Sequence, residues 1–90
     1  MITPENYVKE LLKRRNITQA DLLRKMKQLN LGNENLHKEH LNEAINKRMS
    51  FVWGRRIEIA LNLPNYSLIK MIGEPTENQW KKIKEVEKNV

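Results

Sequence analysis

Cysteine is absent from the 90-residue chain, which excludes a disulfide scaffold, a cysteine nucleophile and a cysteine-ligated zinc site. Glycine and proline number three each, too few for collagen or a low-complexity linker. No apolar run approaches the ~18 residues of a membrane span, and Met1–Glu10 lacks the hydrophobic segment of a signal peptide. A cytoplasmic location with no membrane partner is therefore expected. The sequence carries no glycine-rich phosphate loop and no Ser-His-Asp order, and its carboxylates are scattered over polar helical positions. Neither an enzyme, nor a cofactor, nor a small-molecule substrate is expected. Sustained period-two alternation is missing as well, and Phe51-Val52-Trp53 is too short a run to define a strand.

What is present is a polar chain, 31% charged and 39% hydrophobic, with enough apolar side chains for one small core. Seventeen Lys and Arg against eleven Asp and Glu give a net charge of +6. Such an excess favours an anionic partner, nucleic acid above all. The excess is confined to residues 1–73, while residues 74–90 are balanced. A balanced, highly charged terminal stretch is the signature of a solvated helix and not of a nucleic-acid arm.

Six helices are predicted. Thr3-Pro4 starts the first, whose apolar positions are Tyr7, Val8, Leu11 and Leu12 and which stops near Asn16. Thr18-x-x-Asp21 opens the second, with Leu22, Leu23, Met26 and Leu29 on one face and Gly32 as its stop after Leu31. The third runs from about His37 to Lys47 over Leu41, Ala44 and Ile45. Ser50 caps a fourth that carries Trp53, Ile57, Ala60 and Leu61 and ends at Pro64. Asn65 caps a short fifth with Leu68, Ile69 and Ile72, stopped by Gly73. Thr76-x-x-Gln79 is a capping box for a sixth, with Trp80, Ile83 and Val86 as a narrow stripe.

Three segments in order carry a family resemblance. Ile17-Thr18-Gln19-Ala20-Asp21-Leu22 looks like the opening of the helix-turn-helix in lambda-repressor-like, or Cro-type, regulators. Leu41-Asn42-Glu43-Ala44-Ile45-Asn46 is similar to the second half of their recognition helix, and Arg56–Pro64 resembles their fourth helix. The likeness covers about residues 5–73. It implies an all-α fold: a five-helix helix-turn-helix domain over residues 1–73, with an additional C-terminal helix over 74–90. It also implies a DNA-binding transcription regulator, such as a repressor, of phage or mobile-element type, with the third helix in the major groove. His37, Lys38, His40 and Asn42 would then face base edges, Asn reading adenine and Lys reading guanine. Gln19, at a helix N-terminus, and Lys47 and Arg48, beyond the third helix, would hold phosphates.

The sequence departs from the family between Met26 and Leu36, which lie several residues further apart than a tight turn needs. A longer second helix and an enlarged loop about Leu31–Asn35 are expected. Glu39 and Glu43 sit in the presumed recognition helix; glutamate accepts from cytosine N4, but a phosphate-lined groove repels carboxylates. With Phe51 and Trp53, they motivate the alternative reading, a helix-turn-helix fold that binds a partner repressor protein as an antirepressor or modulator. Phe51 and Trp53 are otherwise core. His37 and His40 are three apart but lack a third ligand, so no metal is expected. Arg14, Arg15, Arg55 and Arg56 read as solvated, Arg56 as structural. The Trp80–Val86 stripe needs cover from its own domain or from a second copy, and a weak homodimer is the expectation.

Overall fold

The computed structural model describes residues 2–88, and these form helices α1 (Pro4–Arg15), α2 (Gln19–Gln28), α3 (Lys38–Asn46), α4 (Phe51–Leu61), α5 (Ser67–Ile72) and α6 (Glu77–Glu87). A single 3-10 turn, Asn33–Asn35, lies between α2 and α3, and no strand occurs among the described residues. The all-helical expectation holds.

Hydroxyl caps start four of the helices. The side chains of Thr3, Thr18, Ser50 and Thr76 accept from the backbone N–H three residues on, at 3.1 to 3.3 Å. At Thr18 and Thr76 the reciprocal bond is also made, by Asp21 and Gln79. Asparagine stops three of them. Asn16, Asn30 and Asn62 adopt left-handed backbone angles, with φ of 55°, 57° and 55°. Each lets the following amide reach back five residues, as Leu31 N–H does to the Met26 carbonyl at 3.1 Å. Asparagine tolerates this region because its short side chain bonds locally.

Asn30 therefore ends α2 at Gln28, ahead of the expected stop at Gly32. Gly32 serves another purpose: at φ +93°, a Cβ there would stand 2.9 Å from an Arg56 guanidinium nitrogen. The α2–α3 connection, Leu29–His37, is long as expected. Two leucines in it, Leu31 and Leu36, are fully buried and pin it to the core.

α4 is the central helix, packed on α2, α5 and α6. Its residues Gly54–Glu58, Ala60 and Leu61 are all buried. The charged members of that run are the main correction to the sequence reading. Arg55, expected in solvent, is 6% exposed; Arg56, expected to be structural, is 8% exposed, and Glu58 is wholly inaccessible. A buried carboxylate must find donors for its lone pairs. Glu58 Oε1 accepts from Arg55 Nη1 at 2.8 Å and from Tyr66 N–H at 3.0 Å. Its Oε2 accepts from the amides of Leu68 and Ile69 at 2.7 and 3.1 Å. Glu58 thus caps α5 from within the core, and the expected Asn65 cap is not made: α5 begins after Tyr66, itself left-handed at φ 66°. Arg55 goes on to Glu87 of α6 at 3.0 Å, and Tyr66 O–H donates to the same carboxylate at 2.7 Å.

α6 folds back onto α4, where Ile83 and Val86 are buried and Trp80 meets the Tyr66 ring edge-on at 5.4 Å. The stripe is spent inside its own chain, so Ile83 and Val86 offer no apolar face to a second copy. On α1 the core takes Val8 and Leu12, while Tyr7, expected on that face, is 36% exposed.

Removing Glu58 leaves the amides of Tyr66, Leu68 and Ile69 without their acceptor and takes one of the two carboxylates of Arg55, a loss comparable to the cost of about 3–5 kcal/mol for breaking a buried pair. Glu58→Ala is expected to lose that much in urea unfolding. Glu87→Ala, which leaves the inner pair intact, is expected to lose less than half of it. Equal losses would show that Glu58 has no special place.

Candidate nucleic-acid interface

α3 lies across α1 and α2 and buries Leu41, Ala44 and Ile45 beneath it. At about 100° per residue, the line opposite these three runs through Glu39, Glu43 and Asn46. Lys38 and Asn42 fall on one flank of that ridge, His40 and Lys47 on the other. All seven side chains are exposed. The outward centre of α3 is therefore acidic and amide-bearing, with the residues expected to read bases beside it.

The flank with Asn42 faces α2. Asn42 Nδ2 donates to Gln19 Oε1 at 3.4 Å, and Asn46 Nδ2 donates to the Asn42 carbonyl at 3.1 Å. Gln19 is half-buried against this contact. Two expected site residues, 23 positions apart, are thus brought together at the junction of the two helices. The end of α2 is already partly neutralised. Asp21 accepts from Thr18 N–H at 3.1 Å, and the bonds to Thr18, with a lesser contribution from Arg24, hold its carboxyl below the ordinary value. Within α2, the first-turn amides of Gln19 and Ala20 are the ones for which the helix supplies no acceptor.

His37 caps α3 without a side-chain bond, and its ring meets that of His40 edge-on, with centroids 5.2 Å apart. Among the described residues no third metal-ligating group joins them. Lys47 follows α3 and is exposed. Arg48 is directed elsewhere: it lines a groove of about 450 Å³ with Phe51, Ile72 and Lys82, towards α6.

Phe51 and Trp53, expected in the core and on a partner surface only in the alternative reading, are both half-buried. Trp53 packs on the core and carries the Arg56 guanidinium 4.7 Å above its ring. The core reading of Trp53 is the one the packing supports. Glu39 and Glu43 remain as an exposed acidic pair on the ridge.

Three polar contacts that set this geometry were missed from sequence. Glu5 accepts from Met49 N–H at 2.7 Å, tying α1 to the segment after α3. Arg15 donates to the Leu61 carbonyl at 2.7 Å, closing the end of α4. The third is the Glu58 knot. A signal for it existed, since Arg55 and Glu58 stand three apart inside a stretch whose only other charged residue is Arg56.

No protein-family model, no curated protein and no solved structure matches the chain.

The α2 start carries a pH dependence of known sign. Asp21 has a lowered folded pKa, so its stabilising effect is complete above its ordinary value of 3.8 and is lost as pH falls through the lowered one. The Tm difference between the native chain and Asp21→Asn is expected to shrink between about pH 5 and pH 2. A constant difference over that range would contradict the assignment.

Proposed function

We propose that the chain is a sequence-specific double-stranded DNA-binding transcriptional regulator that lays α3 in the major groove. The observation that carries this reading is the Gln19–Asn42 contact. It sets the N-terminus of α2 beside an α3 whose whole outer surface, from Lys38 to Asn46, is polar and exposed. This is the disposition that a helix-turn-helix reader needs, with one helix end near a phosphate and the next helix offering side chains to base edges. The pinned leucines of the α2–α3 loop supply the rigidity that the tight turn supplies in the lambda-repressor-like regulators this chain resembles.

Roles follow from position. Asn42 reads adenine, and Lys38, in the first turn of α3, reaches guanine N7 or O6. Gln19 holds a phosphate through its side-chain amide and the free amide of its own backbone, and Lys47 holds one at the far end. Glu39, on the ridge, accepts from cytosine N4. His37 and His40 flank the groove-facing surface. Arg48 makes at most a peripheral phosphate contact from its groove towards α6.

A second reading rests on Glu39 and Glu43, which make the outward ridge of α3 acidic. An antirepressor would use that ridge to dock on the basic surface of a partner repressor. The neutral variant Glu43→Gln, at the ridge position with no assigned base contact, separates the two: it strengthens binding for a DNA reader and weakens capture for an antirepressor.

The test is fluorescence anisotropy with a labelled duplex from the sequence upstream of the coding region. With two cationic phosphate contacts, a fourfold rise in salt is expected to weaken binding about tenfold. Asn42→Ala is expected to cost about 1–3 kcal/mol and to relax preference at one base pair. Affinity no better than for a scrambled duplex would overturn the proposal.

A further inference from the structure

Two buried arginines stand side by side on α4, and their surroundings differ. Arg55 has carboxylates from Glu58 and Glu87 and the Asn65 amide oxygen around it. Arg56, 8% exposed, has no carboxylate within ion-pair distance among the described residues. Its Nε is buried and makes no hydrogen bond. One face of its guanidinium rests on Trp53. Burial alone draws its pKa below the ordinary value, with no opposing anion to raise it. A buried guanidinium without an anion is costly, and its planar fork fits a carboxylate in bidentate fashion.

The guanidinium lines an open pocket of about 360 Å³ bordered by the α2–α3 loop, α4 and α6. The volume lies in the range of small-ligand sites. Leu31, Val52 and Val86 give it apolar walls, and Asn35 and Lys82 add an amide and a second cation. Gly32 lets the loop backbone close over the guanidinium where a Cβ would strike it. We propose that this pocket binds a small organic carboxylate, paired with Arg56 and assisted by Lys82, whose apolar body lies against Leu31, Val52 and Val86. Walls that are half apolar favour a carboxylate with a hydrocarbon body over an inorganic anion. Glu85 at the rim selects for a single negative charge, because a second carboxylate would face it. Such a ligand would tie the α2–α3 loop to α4 and α6. The site is independent of the DNA-binding reading and stands or falls without it.

The experiment is an amide-resolved NMR titration of the full chain with sodium benzoate, with benzamide and sodium chloride as controls. Benzoate is expected to give saturating shifts confined to the segments around Gly32–Asn35, Val52–Arg56 and Lys82–Val86, and benzamide none. Arg56→Lys keeps the charge and loses the fork, and is expected to weaken binding about tenfold. Lys82→Gln, an exposed site whose substitution leaves the core intact, is expected to weaken it several-fold, and Glu85→Gln to strengthen it. Shifts that do not saturate or that scatter over the surface lysines would overturn the proposal. So would equal effects of benzamide, or unchanged binding by both Arg56→Lys and Lys82→Gln. Glu85→Gln as unstable as Arg56→Lys, with no benzoate binding by the native chain, would show that Glu85 itself neutralises Arg56, and would also overturn it.

Discussion

A carboxylate with no solvent access organises this fold. Glu58 lies at the centre of α4, and every donor it uses comes from a place the chain must then hold fixed: Arg55 one turn back, and the amides of Tyr66, Leu68 and Ile69. A buried anion that loses a donor is expensive, so the turn after α4 and the first turn of α5 are obliged to meet it. Arg55 passes the constraint on through Glu87 and, with Tyr66, closes α6 over α4. With α5 and α6 secured, α4 offers its remaining side to α2, and α2 in turn positions α3. The candidate interface therefore depends on a polar cluster on the far side of the central helix.

Much of the local structure was legible because it depends on neighbours in sequence. Hydroxyl caps at Thr3, Thr18, Ser50 and Thr76 start four helices where the residue types predict, and Asn16 ends α1 where expected. The failures have three separate causes. Spacing identifies which side of a helix is apolar but not what covers it, so the Ile83 and Val86 stripe could not be assigned to α4 in advance. Glycine and asparagine both enter the left-handed region, and at the end of α2 Asn30 takes it before Gly32 is reached. The inner cap of α5 by Glu58 spans a reversal of the chain, which no rule for adjacent residues anticipates.

The site divides along the same line. That Glu39, Glu43 and Asn46 form the ridge of α3 follows from the positions of Leu41, Ala44 and Ile45 alone, which puts Lys38, His40 and Asn42 on its flanks. The Gln19–Asn42 contact and the turning of Arg48 towards α6 depend on how three helices cross, and only the folded chain displays them. The surroundings of Arg56 belong with these: its place beside an apolar stripe marks it as structural, but only the folded chain shows that Trp53 lies against it and that no carboxylate among the described residues pairs with it.

The central claim is that the α2 N-terminus and the outer surface of α3 form one nucleic-acid-reading face. The measurement that addresses it most directly is an amide-resolved NMR titration with a specific duplex, which maps the bound face residue by residue. The account predicts that the largest shifts fall on Gln19–Leu22 and Lys38–Lys47, with α6 unaffected. Shifts centred on α1 or α6, with α3 silent, would contradict it.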